Sequence, residues 1–587
     1  MDLDLLAELE RAQLIRRVAS DEPAYSFKHA LTQEAAYQSL LHKKRAEIHR
    51  RVAEAYERIY PDHLDDYAAL LVRHYGEAGN DAKTIEYARR AGDAAARVHA
   101  HAEALGFYVR AIEVVRRAGE PAKGFLSDLF IRRGRILELS SQYTAARESY
   151  QEMETIARER GDRAMELAAL MARTTVHSIP TPEYDFARAQ ELSAGSLHLA
   201  RELGDRPAEA KILWNRMLMY SRNRMDVRTA LAAGEESLTI ARSLNLRAQL
   251  AFSLNDISIL YLFGGQPERG EETLREARAL WRELDNLPML TDNFGYAAMG
   301  HLAQGKFEQA IAEAEQARQL SIQIGNLWGE AFSRMWIGPA FLEVGRPDRA
   351  VTAMQAAIDL AEQSGFIAPI SMAASDLGAL YGDFGAIERG LERVERALSK
   401  SPVEANITAA WVRGHMAHLL VLQGNLDRAE SILKTGWYSV SLDDANLRLC
   451  VPLRLSEGEL ALAHQDYARA LEVFDALAGA LERLQLRQAL PMALRGKGLA
   501  LQGLGRREEA LSALELARTV AESLHAKWSL WQILAVLVDL AVDPDQARAL
   551  RRDALTIIDE IGSHTPDDLR ESFFNLPAVK QFRDGQS

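Results

Sequence analysis

Residues Gly305–Ala317 read GKFEQAIAEAEQA, and near-copies recur along the chain. They are GQPERGEETLREA from Gly265, GRPDRAVTAMQAA from Gly345, GNLDRAESIL from Gly424 and GRREEALSALELA from Gly505. Aligned on the small residue five places after the leading Gly position, the anchors are Ala189, Ala230, Gly270, Ala310, Ala350, Gly390, Ala429, Ala470 and Ala510. Successive intervals are 41, 40, 40, 40, 40, 39, 41 and 40 residues. A period of that constancy marks an array of supersecondary units, each burying its apolar face on its neighbours.

Each unit reads as two helices. Upstream of the turn, apolar residues recur at helical spacing, as at Ile337, Gly338 and Phe341, or Leu377, Gly378 and Tyr381. The turn supplies Gly for a left-handed position, then a polar residue or Pro, then often an acid near the next helix start. The second helix carries the anchor and often an alanine seven residues on: Ala277, Ala317, Ala357, Ala397, Ala517. Seven residues are about two turns, so both small residues lie on one stripe and let the helices approach closely. These fragments resemble the tetratricopeptide repeat (TPR) family, with Leu377-Gly378-x-x-Tyr381, Ile337-Gly338-x-x-Phe341 and Trp214 at its consensus positions. The usual TPR unit is about 34 residues, so helices nearly a turn longer are expected here. HEAT-type repeats of about 40 to 47 residues are the competing architecture. The resemblance implies an all-α, right-handed TPR-like α-solenoid, extending back through Gln142–Ala146 and His101–Ala104.

The first 60 residues do not keep the period. Leu5-Leu6-x-x-Leu9 starts a short helix. Leu14–Val18, the turn Ser20–Pro23 and Ala24–Phe27 read as a hairpin, and Phe27–Glu57 as helical throughout. The run Phe27, His29, Ala30, Leu31, Ala36, Tyr37, Ser39, Leu40, Arg45 and His49 resembles the end of the winged-helix segment in STAND-type signalling ATPases. Those regulators, including LuxR-type and cyclase-associated members, carry a TPR sensor after that segment. The resemblance implies a winged-helix-like remnant over 1–45 and a helical connector with irregular repeats over 46–118. It further implies the superhelix over 119–545 and capping helices over 546–587. It also implies that a nucleotide-binding domain belongs before residue 1.

Composition narrows the function. Over 587 residues, 70 basic against 83 acidic side chains give a net charge of −13, which disfavours DNA and anionic lipid. The single cysteine, Cys450, excludes an intramolecular disulfide and a cysteine-based zinc cluster. The apolar run Trp531–Val538 is too short to span a bilayer. A soluble, cytoplasmic protein with no direct nucleic-acid or membrane partner is expected; its oligomeric state is not legible.

Catalytic signals are thin. Gly300–Phe307, GHLAQGKF, matches seven positions of a phosphate-binding P-loop but has Phe307 where the metal-binding hydroxyl belongs. Gly305 aligns with the repeat turns at Gly265, Gly345 and Gly505, so a repeat turn is the better reading. His99 and His101 are two apart and point to different helix faces, a poor metal geometry. No H-E-x-x-H, C-x-x-C or G-x-S-x-G occurs. No enzyme, metal site or cofactor is expected. The basic run Lys43-Lys-Arg45 with His49–Arg51 alternates with Glu47 and Glu54 and reads as a solvated face.

One constellation suits binding. Arg334, Arg413 and Arg454 lie sixteen residues before their anchors and Arg495 fifteen, with Asn215 and Asn255 also at fifteen. On first helices lining a concave groove these would offer guanidinium forks and amides to a protein, peptide or small effector. The plainer alternative pairs each arginine with a neighbouring acid. The function expected is a non-catalytic sensor or protein-interaction module of a STAND-type regulator; the alternative is a stand-alone scaffold that assembles a complex without switching.

Overall fold

The computed structural model describes residues 3–18, 24–98, 100–118, 124–178, 181–223, 226–365, 367–400, 407–434, 442 and 447–584. They are helical apart from one hairpin, a 3₁₀ turn and the connections. The chain divides into two compact units, residues 1–204 and 205–587, the boundary falling between the repeats anchored at Ala189 and Ala230. No described helix is long and apolar enough to cross a membrane.

The first unit opens with helix Leu3–Arg11 and the antiparallel strands Ile15–Val18 and Ala24–Phe27, with Ile15 opposite Phe27 and Val18 opposite Ala24. The turn expected at Ser20–Pro23 lies outside the described residues, as does His99. The stretch expected to be one helix from Phe27 to Glu57 is broken. Phe27 ends the strand, and helices Ala30–Ser39 and His42–Ile59 are separated by extended Leu40 and Leu41. Ser39 Oγ donates to the Ala36 carbonyl at 2.7 Å, a local bond that competes with the helical ladder at that break. Glu57 ties helix His42–Ile59 to the helices Ala68–Glu77 and Asp81–Arg97. Its carboxylate accepts from the Tyr75 hydroxyl at 2.6 Å and the Tyr87 hydroxyl at 2.5 Å. Burial raises the Glu57 pKa, but those hydroxyls and Lys83 together hold it below the ordinary value.

The second unit repeats one pair of antiparallel helices, as in Arg247–Phe263 with Pro267–Glu283 and Leu287–Ala303 with Phe307–Gln323. Ala310, Ala350, Ala429, Ala470 and Ala510 are all 0 % exposed, which explains the anchor's small size. At Gly390 a β-carbon would sit 2.5 Å from the Gly378 carbonyl oxygen on the first helix. The backbones cross there too closely for a larger residue. Between repeats the chain turns through a left-handed residue, and Asn286 and Asn326 cap the next first helix by accepting from Met289 N and Gly329 N.

Within this unit the array closes on itself. The Gly265 turn faces the Arg483 carbonyl and the Gly305 turn faces Leu524, each about 220 residues further along, or roughly five and a half repeats. The next repeats make contacts of the same kind. Asp348 N donates to His564 O at 3.1 Å, and Arg389 reaches Asp568 at 2.6 Å. Phe384 stacks between Trp528 and Phe573 at 4.9 and 5.0 Å. Winding one layer on the next forms a continuous seam.

Candidate functional site

The seam leaves one face of the first helices turned inward. Residues at 22, 18, 14, 11 and 7 before the anchor share that face, because these steps of three or four residues match the helical repeat. Ends meet across the winding: Arg448, early on its helix, lies with its guanidinium 4.3 Å from the ring centre of Phe263, late on an earlier one. The repeats anchored at Gly270, Ala310 and Ala350 place the aromatics Phe252, Phe263, Tyr296, Trp328, Phe332 and Trp336 on this face. Trp328 stacks on Phe332 at 5.3 Å, and Tyr296 meets Phe332 edge-on at 5.9 Å. Trp214 Nε1 donates to Asp256 at 2.7 Å.

Further along, the same face becomes ionic. His418, on helix Ile407–Gln423, sits between acids from both flanking first helices. Its Nε2 lies 2.9 Å from Asp383 and its Nδ1 2.7 Å from Glu459. Two carboxylate acceptors require a hydrogen on each nitrogen, so the ring is an imidazolium. Burial works against that charge, but Glu459 and Asp383 outweigh it and raise the His418 pKa well above its ordinary value. Burial likewise raises Glu459, yet His418 and then Arg495 bring it below the usual carboxylate value. These side chains are 21 % (His418), 26 % (Asp383) and 30 % (Glu459) exposed, so the cluster keeps contact with solvent although it lies deep in the unit. Beside it, Trp411 Nε1 donates to Asp376 at 2.7 Å, and His415 Nε2 is 3.0 Å from the same carboxylate.

Glu343 sits on this face at the seam. Ser529 Oγ lies 3.2 and 3.0 Å from its two carboxylate oxygens. Burial pushes its pKa up to about 7; Ser529 counteracts this only in part, and the charge of Asp383 adds to it.

The six residues singled out from the sequence are not brought together. Arg495 joins the ionic cluster, donating from Nε to the Gln532 carbonyl at 3.3 Å, with no carboxylate within ion-pair distance among the described residues. Arg413 likewise pairs with no described acid, and its Nη1 is buried without a hydrogen-bond partner. Arg334 pairs with Glu330 at 2.8 Å and Arg454 with Glu457 at 2.9 Å, each on its own helix. Arg469 of the second helix joins Glu457 at 2.7 Å, so the Arg454 side faces its own repeat partner. Asn255 is 0 % exposed, bonded to Asp292 at 3.0 Å and Asn293 at 2.9 Å inside the packing. Asn215 is half-buried. The reason is angular: a residue sixteen before the anchor is about 200° from one fourteen before it. Sequence reasoning missed His418, Asp383, Glu459 and Glu343; the columns eleven and seven before each anchor are the signal that exposes them.

With inner face and seam in view, the fold is that of a TPR-like α-solenoid, all-α apart from the terminal hairpin. No family model matches the sequence, and no curated protein matches it. Three solved structures are similar to this chain at a low level. One is a STAND protein with a tetratricopeptide repeat sensor from Pyrococcus horikoshii, 14 % identical, TM-score 0.43, covering 73 % of this chain and 60 % of that one. Another is the APC/C hetero-tetramer Cut9–Hcn1, 14 % identical, TM-score 0.46, covering 85 % and 96 %. The third is a Rap protein complexed with Competence and Sporulation Factor, 13 % identical, TM-score 0.41, covering 68 % and 98 %. Likeness of that degree carries no inference about what this chain binds.

Proposed function

We propose that the chain is a protein-interaction module whose second unit takes a peptide or a partner's segment on its inward face. In this reading it serves as the sensor arm of a STAND-type regulator. The observation that carries the reading is the ionic cluster of Asp383, His418, Glu459 and Arg495. It is assembled from four successive first helices, held in fixed geometry, and still open to solvent. Arg495 pairs with no described acid, so a ligand carboxylate would find a guanidinium fork ready for it. Aromatic side chains on the preceding repeats would receive apolar residues of the same ligand.

The test is affinity capture with the full chain and with its Arg495→Ala variant, partners being identified by mass spectrometry. Loss of a specific partner in the variant supports the reading; a partner held equally by both refutes it. The regulatory half is tested by sequencing the gene upstream of Met1. An in-frame nucleotide-binding domain supports it, and an in-frame stop codon favours the scaffold.

A further inference from the structure

The seam joins two different edges of the second unit. On one side are the turns inside the early repeats, at Gly265, Gly305, Gly345 and Gly385; on the other are the turns between the late repeats, from Arg483 to Leu576. Each contact joins a repeat to one about five places later, as the Gly265 turn of the Gly270 repeat meets Leu484 of the Ala470 repeat. The winding therefore leaves over one edge of each kind. The early repeats keep a bare edge of between-repeat turns, and the late repeats a bare edge of within-repeat turns. Equivalent residues show the difference. Fourteen residues after the anchor, Leu484 and Leu524 lie in the seam and are 6 % and 8 % exposed, whereas Leu244 and Leu284 of the early repeats are 43 % and 38 % exposed. Six residues before the anchor, Phe384 is 0 % exposed, stacked between Trp528 and Phe573, whereas Leu504 is 40 % exposed. A β-carbon added at Gly305 would meet Leu524 at 2.8 Å, and one at Gly385 would meet Ser572 at 3.1 Å. At Gly424 and Gly505 it would meet nothing within 4 Å among the described residues beyond its chain neighbours.

Leucines on the outermost surface of a repeat array depart from the polar capping that keeps such arrays soluble. The two bare edges are the unmatched halves of one interface, whose matched halves already pack inside the unit. A unit carrying both halves is complementary to a second copy displaced along the winding, and that contact is head-to-tail, because each copy contributes a different patch. We propose that the second unit associates head-to-tail with a second copy of this chain. The Gly424–Gly505 edge of one copy, with Leu504, packs on the Leu244 and Leu284 edge of the next. The contact extends the internal seam from one copy to another and covers the same leucine position that Leu484 and Leu524 occupy within the unit. It lies on the edges of the winding and does not depend on the reading given for the inward face.

Analytical ultracentrifugation of the full chain over a concentration series tests this. The average mass of the wild type is expected to rise with concentration. Leu244→Glu/Leu284→Glu spoils one edge and His464→Glu/Leu504→Glu the other; all four side chains are exposed, so the fold is retained. Each variant alone should stay monomeric. Mixed in equal amounts, the two variants offer one intact edge each and should form a dimer and nothing larger. A wild type that stays monomeric throughout overturns the proposal. So does association that persists in either variant alone, or a mixture that remains monomeric. Arg495→Ala leaves both edges intact and should associate as the wild type does, which separates this result from the capture experiment on the inward face.

Discussion

Replacing Glu343 by Gln should make the second unit more stable above neutral pH. The carboxyl lies at the C-terminal end of helix Leu327–Glu343, where the helix dipole disfavours a negative charge. It is half-buried at the seam with only Ser529 to satisfy it, and its pKa stands at about 7 against 4.5 for the free group. For an acid raised on folding, the native state is favoured while the carboxyl is protonated in both states. That advantage is lost as pH rises from 4.5 through 7, because the unfolded chain ionises first. The difference amounts to about 3 kcal/mol above pH 7, at about 1.4 kcal/mol per pH unit. Glutamine cannot ionise yet still accepts from Ser529. Its advantage over the wild type should therefore grow between those two values and then level off. For a unit spanning residues 205–587, that corresponds to a rise in Tm of about 4 °C. The assay is thermal melting of both proteins from about pH 5 to 9, read as the difference at each pH so that other titrating groups cancel. Parallel curves, with the variant offset equally at every pH, would refute the argument that Glu343 is held protonated by the seam.

His418→Ala should destabilise the unit by about 2–3 kcal/mol at neutral pH, since it leaves the partly exposed Asp383 and Glu459 without their shared cation; urea unfolding checks it. The clamp's contribution is full below the ordinary histidine pKa and is lost as pH rises through the elevated value, so the penalty should shrink in alkali. Gly305→Ala should cost about 1–2 kcal/mol, because φ is +75° there and the added carbon would lie 2.8 Å from Leu524. The melting midpoint of that variant measures the loss. Truncation after Val542 removes His564 from Asp348, Asp568 from Arg389 and Phe573 from Phe384. Hydrogen exchange should then quicken around Gly345 and Gly385, remote in sequence from the cut; an effect confined to the last repeat would contradict the seam.

The repeat, its turns and its small anchors were legible because each arises from local chemistry. A left-handed turn selects Gly305 or Gly345, and a close helix crossing selects Ala310 or Gly390, whatever the rest of the chain does. The inward face was harder to read. Arg334 and Arg454 stood out by residue type, but the helical angle puts them beside acids on their own helices. His418 carries no local signature, since its partners lie 35 residues before and 41 after it. The break at Leu40–Leu41 was hidden for a different reason: both leucines are good helix formers, and only the backbone geometry separates the two helices. The seam was least legible of all. It pairs residues more than 140 positions apart, such as Phe384 and Trp528 or Glu343 and Ser529, and no periodicity within a repeat specifies how many repeats complete a turn.

That seam changes how the stability of the second unit should be understood. In an ordinary solenoid each repeat touches only its neighbours, so stability is a sum of intrinsic and adjacent-interface terms and the array can fray from either end. Here the repeats around Gly265 to Gly385 also bear on those from Arg483 to Leu576, adding interactions that a nearest-neighbour sum omits. Opening one stretch of seam, by ionising Glu343 or displacing Phe384 from Trp528 and Phe573, frees both layers at once. The inward face is built on the same first helices: Asp383 belongs to the cluster with His418, while the adjacent Phe384 stacks in the seam. A ligand that draws Asp383 toward or away from His418 therefore bears directly on the next residue's seam contact. Site and winding share a backbone there, so under the proposed function that adjacency would link occupancy of the face to how tightly the layers close.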